Sequence, residues 1–204
     1  MDVVCLDLEG VLVPEIWIQF AEKTGIDELR ATTRDVPIYD DLMRQRLSLL
    51  DAHDLKLDDI QRVIAEMGPL PGAKEFLDGL RQDYQVIILS DTFYEFAQPL
   101  MRQLGQPTLF CHRLEISSEN RVADYRLRKK DHKRESVESL KQLNFKVYAA
   151  GDSYNDTAML REAHAGFLFR APDNVITEFP QFSVCTEFDE LRALIDAAAG
   201  CSEA

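Results

Sequence analysis

The chain has 204 residues, 36 acidic against 23 basic side chains, and a formal net charge of -13. That balance argues against a nucleic-acid partner, whose phosphates call for a basic face. No apolar run reaches the roughly 18 residues of a membrane span, so no membrane partner is expected, and the length suits one domain with a modest insertion.

Met1 leads directly into a strand with no basic leader, and Cys5, Cys111, Cys185 and Cys201 show no metal-type pairing. Both points lead to the expectation of a cytoplasmic protein, with Cys5 a small buried hydrophobe.

In chain order, the first element is a strand over 2–8, apolar enough to be buried on both faces. Asp7 and Glu9 close it, at the end where open α/β sheets bind ligands. Two carboxylates there are costly to bury unless a cation sits beside them. Apolar residues at helical spacing over 14–23, 39–52 and 57–67 predict a small helical insertion that stops at Pro69-Leu70-Pro71-Gly72. Such an insertion, over 14–69, overhangs the two acids as a cap that excludes water and carries substrate-selecting groups. The catalytic core is then expected from 1–13 together with 70–204.

Beyond the insertion, helices are predicted over 71–82, 92–104, 132–143 and 154–162, and strands over 85–89, 108–111, 146–150 and 165–169. This alternation gives βαβ units: an α/β fold with a parallel sheet and helices on both faces. Residues 113–128 alternate around Ser117-Ser118-Glu119-Asn120 and read as a β-hairpin in the second half of the chain. The basic run over 126–130, with Lys133 and Arg134, falls at the hairpin's end and the next helix's start. Apart from Lys133 it reads as a solvated surface.

Polar clusters terminate the later strands: Ser90-Asp91-Thr92, then Gly151-Asp152-Ser153-Tyr154-Asn155-Asp156, with Lys133 opening the helix before that last strand. Together with Asp7-Leu8-Glu9-Gly10-Val11 they resemble the ordered motifs of the haloacid-dehalogenase superfamily of aspartate-nucleophile phosphotransferases. Those motifs are D-x-D-x-[TV], a Ser or Thr after a hydrophobic strand, a lysine, and G-D-x-x-x-D. The likeness spans nearly the whole chain and implies a Rossmann-like core. Glu15, and Arg46 ahead of Leu47-Ser48-Leu49-Leu50, resemble the signature of the phosphoserine phosphatases. The wordings D-L-E-G-V, L-S-D-T-F and G-D-S-Y-N-D depart from the family's usual D-F-D-S-T, S-G-G-F and G-D-G-A-N-D. In that they resemble a bacterial branch able to pass the phosphoryl group to homoserine.

The resemblance implies a role for each residue. Asp7 attacks phosphorus, and Glu9 protonates the departing serine oxygen of phosphoserine, then deprotonates the acceptor, water or homoserine. Mg²⁺ is held by Asp7, the backbone carbonyl of Glu9 and Asp152. Ser90, with Asp91 beside it, and Lys133 contact the phosphoryl group. Asp156 holds Lys133 or a metal-bound water, and Asn155 lines the substrate site. Glu15 faces the substrate ammonium, Arg46 clamps its carboxylate, and Tyr39 is the one aromatic admitted to the pocket. These groups match what phosphoryl transfer demands: an in-line nucleophile, an acid for the leaving alcohol, and positive charge around the oxygens. Glutamate at position 9 extends the acid by one methylene, about 1.5 Å, which is expected to admit an alcohol acceptor as well as water.

Each position also has a plainer reading. Ser90 can cap the 92–104 helix, Asp152 and Asp156 can form a capping box, and Glu15 can serve a helix dipole. Lys133 can be solvated, and Arg46 can snorkel beside Arg44. His53, His112, His132 and His164 show no ligand spacing and receive no role. Three other functions stay open: a phosphatase of another small phosphomonoester, a phosphorylatable receiver-type signalling domain, and a silent binding module. The acids on the first strand and the insertion behind them disfavour the receiver. Oligomeric state is open, a homo-oligomer included.

Overall fold

The computed structural model describes residues 1–32, 35–36 and 38–200; Cys201 and part of the 14–69 insertion lie outside that set. Seven strands are present among the described residues: β1 (Asp2–Leu6), β2 (Gln85–Phe93), β3 (Thr108–Ile116), β4 (Val122–Arg126), β5 (Lys146–Gly151), β6 (Ala165–Phe169) and β7 (Ser183–Cys185). They form one sheet in the order β4-β3-β2-β1-β5-β6-β7, parallel throughout except for the β3–β4 pair. β1 takes the centre because both its faces are apolar. Val4 and Leu6 join the core on one side of the sheet, Val3 and Cys5 the core on the other. None of the four is more than 1% exposed, and each large side chain so buried contributes about 1.5–3 kcal/mol.

Nine helices are present among the described residues. Three belong to the insertion: α1 (Ile16–Thr24), α2 (Tyr39–Ala52) and α3 (Leu57–Ala65), with a short 3-10 turn at Asp27–Arg30. The others are α4 (Ala73–Asp83), α5 (Tyr94–Gln103), α6 (His132–Gln142), α7 (Thr157–Glu162), α8 (Asp173–Glu178) and α9 (Phe188–Gly200). No helix among the described residues is long and apolar enough to cross a membrane. Cys5, Cys111 and Cys185 are buried free thiols.

After β1 the chain builds β2 and β3 on one side, then returns to lay β5, β6 and β7 on the other. The reversal opens a crevice at the carboxyl end of β1, where ligands bind in open α/β sheets. α1 stops where Gly25 enters the left-handed region at φ 71° and returns its N–H to the Ala21 carbonyl. Trp17 packs edge-on against Phe20 and Phe96, joining α1 to α5. α2 is tied to β4 by Arg44–Asp124 at 2.8 Å and Tyr125–Asp40 at 2.6 Å. Arg121 pairs with Asp51 and Asp54, and the Leu57 N–H donates to the Asn120 carbonyl. The inserted helices therefore rest on the hairpin as well as on the core.

The structure corrects three local expectations. β2 runs on to Phe93, with its register against β3 broken between Leu89 and Phe93, so Ser90 and Asp91 lie in an irregular strand segment. Ser90 is consequently not a helix cap; α5 begins at Tyr94 after Phe93. β3 is one strand that pairs with β2 and then continues as the first arm of the hairpin, because Leu114 and Ile116 keep the alternation going. Finally, β7, α8 and α9 add an edge that sequence patterning did not foresee.

Candidate active site

β1 ends at Leu6, but the Asp7 N–H still bonds to the Ala150 carbonyl at 2.9 Å, which pins Asp7 at the rim of the sheet. Its side chain is buried, and Oδ1 accepts the Leu8 N–H at 2.7 Å and meets Lys133 Nζ at 2.9 Å. Lys133, on the first turn of α6, also reaches Asp156 at 2.8 Å and Asp91 at 3.4 Å. Burial opposes its charge, but Asp156, Asp7 and Asp91 outweigh burial and hold the ammonium well above its ordinary pKa.

Asp156 is fully buried. Oδ1 takes Lys133, while Oδ2 accepts the N–H groups of Asp152 and Ser153 and the Ser153 hydroxyl. Asp156 and Ser153 form a reciprocal capping box, so Asp156 shapes the loop and anchors the lysine at once. Gly151 lets it do so: a Cβ there would fall on the Asp156 carboxyl group. Gly10 is the matching feature across the site. Its φ is +76°, and a Cβ there would fall on the Asp152 carboxyl group.

Oxygens of Asp7, Asp152 and Asp156 lie within 4.8 Å of one another. Burial and then Asp156 push the Asp152 carboxyl up to about 7. Burial and Asp156 likewise raise Asp7 well above the carboxylate range, with Lys133 opposing. One ammonium thus faces an excess of carboxylates. A set of hard oxygens carrying surplus negative charge fits a divalent cation, which Asp7 and Asp152 would hold. Asp156, with both oxygens already committed, brackets that position.

A cleft of about 380 Å³ is walled by Glu9, Glu15, Trp17, Tyr39, Arg46, Asp91 and Asn155. Glu9 is half-buried and its Oε1 accepts the Ile16 N–H at 2.8 Å, at the start of α1. Burial, then Glu15, push Glu9 up to about 8. Arg46 is buried beside the Trp17 ring at 4.5 Å, and its Nη2 donates to the Ala31 carbonyl at 2.9 Å. Its Nε has no hydrogen-bond partner among the described residues, and burial lowers its pKa to about 10. Ser90 is buried, and its Oγ accepts the Thr92 N–H at 3.2 Å.

Of the residues singled out in the sequence, Glu9, Glu15, Tyr39, Arg46, Asp91 and Asn155 line this cleft, Asp7, Lys133, Asp152 and Asp156 gather in the acidic cluster, and Ser90 is buried next to Asp91. Two that were not, His112 and His132, sit beside Asp91. His132 Nε2 is 3.1 Å and His112 Nε2 3.8 Å from Asp91 Oδ1. Burial alone would raise Asp91, but Lys133 and then the two histidines hold it far below the usual carboxylate range. A second cleft, about 410 Å³, opens on Lys133 between these residues and joins the first at Tyr39, Asp91 and Asn155. No local spacing signals this convergence, because His112 comes from β3 and His132 from α6.

Residues 1–164 match the family described as haloacid dehalogenase-like hydrolase. The chain belongs to that family. It is therefore an enzyme of that family rather than a receiver-type signalling domain or a silent binding module. It is 67% identical over 192 residues, 94% of each chain, to the phosphoserine phosphatase ThrH of Pseudomonas aeruginosa. A phosphoserine phosphatase of Pseudomonas syringae pv. tomato is 66% identical over 94% of this chain and 81% of its own. Among solved structures, a phosphoserine phosphatase in apo form superposes with a TM-score of 0.73 at 24% identity, over 91% of this chain and 93% of that one. This last likeness is one of fold.

Proposed function

We propose that this hydrolase is a Mg²⁺-dependent phosphoserine phosphatase that carries the phosphoryl group on Asp7 and passes it to water or to homoserine. The observation that carries the substrate class is Arg46: a buried guanidinium on the cleft wall whose Nε lacks a partner among the described residues. A substrate carboxylate would complete it with a charge-assisted contact. Glu15 lines the same cleft and suits the substrate ammonium. The two Pseudomonas relatives bear the name phosphoserine phosphatase, which supports the same reading.

In this reading the 14–69 segment acts as the cap and the remainder as the catalytic core. Asp7 lies at the crevice floor, where its carboxylate attacks phosphorus and displaces the serine alkoxide in line. Asp7 and Asp152 would hold a divalent cation, which would supply charge neutralisation for the nucleophile and the phosphoryl oxygens. Lys133 adds a point charge on the same oxygens, and Ser90 donates a hydrogen bond to them. Asp91 and Asp156 keep that lysine charged and aimed, and Asn155 lines the cleft mouth. Glu9, at about 8, holds a proton near neutral pH, as the acid that protonates the leaving oxygen must. Once it has given the proton up, it is the base for the incoming hydroxyl.

The deciding experiment incubates the protein with Mg²⁺, phosphoserine and homoserine and quantifies inorganic phosphate against phosphohomoserine. Release of phosphate supports the phosphatase, and phosphohomoserine supports the transfer. No turnover of phosphoserine, with an aryl phosphate still hydrolysed, overturns the substrate reading. Comparing Glu9→Asp in the two activities tests the extra methylene. A larger loss in transfer than in hydrolysis supports it, and equal loss refutes it.

A further inference from the structure

Asp91, His112 and His132 hold their ligand-type atoms within 4.8 Å of one another, at the edge of the phosphoryl site. The grouping has the outline of a second metal site, but the histidine tautomers argue otherwise. His112 Nδ1 accepts the Arg128 backbone N–H at 3.1 Å, so the proton of the neutral ring lies on Nε2, the nitrogen nearest Asp91. His132 Nδ1 is buried with no hydrogen-bond partner among the described residues. A proton there would be stranded, whereas a proton on Nε2 meets Asp91 at 3.1 Å. Metal ligation through either Nε2 would force the proton onto the wrong nitrogen of each ring. Both rings instead present N–H groups to one carboxylate.

That carboxylate joins three elements. Asp91 sits in the irregular part of β2 next to Ser90, His112 lies on β3, and His132 is the first residue of α6, immediately before Lys133. Asp131, which precedes α6, makes no side-chain capping bond. The start of that helix is held to the rest of the site by His132 and Lys133 reaching Asp91 and by Lys133 reaching Asp156, besides its own Asp131–Arg134 pair. Of the three carboxylates around Lys133, Asp7 is the one whose charge changes when it takes up the phosphoryl group. Asp91 and Asp156 are the two that persist.

We infer that His112 and His132 are positioning residues for phosphoryl transfer: the His132 N–H holds Asp91, the His112 N–H faces the same oxygen at 3.8 Å, and Asp91 holds Lys133 and the start of α6 in register with Asp7. The inference rests on the phosphatase reading only in that it concerns the same reacting group. It acts on the phosphoryl group itself, so its effect is the same for every phosphomonoester the enzyme accepts.

The test compares His132→Leu with His132→Gln, whose amide N–H can reach the place of Nε2. His112→Leu and His112→Gln form a second pair in case the first leucine variant folds poorly. With Mg²⁺ present, each leucine variant is expected to lower kcat by about 10–100-fold, the scale of a small misplacement of a reacting group. The loss should be equal for phosphoserine and an aryl phosphate, with KM nearly unchanged. The glutamine variants are expected to stay within about 3-fold of the parent, well short of that loss. Glutamine variants as impaired as the leucine ones overturn the inference, as does a loss confined to KM. Tight Zn²⁺ binding by the wild-type protein that His132→Gln abolishes also overturns it, in favour of a metal site. If the parent hydrolyses the aryl phosphate but not phosphoserine, the substrate reading fails while this comparison can still be made.

Discussion

The floor of the cleft and its cap-side wall use similar residues, acids and cationic side chains, but the two are paired to different degrees. On the floor, Lys133 meets three carboxylates, and Asp156 accepts four donors. On the wall, Arg46 lacks a partner for Nε among the described residues, and burial and Glu15 favour the protonated form of Glu9. Fully paired buried charges are stiff; incompletely paired ones gain by meeting a ligand. In the proposed reaction the floor is thus set up for chemistry before substrate arrives, and the wall is completed by the substrate.

The strongest way to break that contrast is Lys133→Met. Removing the floor's cation leaves Asp7 and Asp156 buried without it, at a cost of about 3–5 kcal/mol. Thermal denaturation should show a large fall in Tm, and turnover of every phosphomonoester should drop to background. An unchanged Tm would contradict the pairing described. Gly10→Ala comes next. Its Cβ displaces the Asp152 carboxyl group, and Mg²⁺ affinity, read from activity against metal concentration, should weaken by about 10–100-fold. A normal metal dependence would separate Asp152 from the cation.

Arg46→Ala tests the wall alone. Loss of one charge-assisted contact should lower kcat/KM for phosphoserine by about 10–100-fold, with aryl phosphate turnover nearly intact. Equal losses on both substrates would move Arg46 from recognition to chemistry. A last test reads stability against pH. Folding raises Glu9 from 4.5 to about 8 and Asp152 from 3.8 to about 7. Raised carboxyls favour the folded protein fully below their unfolded values and lose that contribution as pH climbs through the folded ones. The Tm of metal-stripped protein should therefore decline between about pH 4 and pH 8, and added Mg²⁺ should recover more of it at the upper end. A Tm that rises through this window would reverse the assignment.

What could be read from the sequence follows from how far each signal reaches along the chain. The acids Asp7 and Glu9 were legible because they directly follow a two-faced apolar strand. Ser90 and Asp152 were legible for the same reason, and Lys133 only through the order of motifs around it. The polar run Ser90-Asp91-Thr92 hid the continuation of β2, since a strand that turns irregular loses its alternation. β7 has three residues, too few to show a period. The grouping of His112 and His132 on Asp91 depends on β3 lying next to β2 and on where α6 begins. Both are settled by packing between distant segments.

The amide of Ile16 occupies Oε1 of Glu9, and an oxygen that is already accepting a hydrogen bond is not the one that carries the acid's hydrogen. In the proposed reaction the proton that Glu9 transfers accordingly resides on Oε2. In that reaction the opening turn of α1 selects which oxygen of the glutamate faces the leaving group, so a shift of that helix against the sheet would re-aim the proposed acid without changing any residue around Asp7.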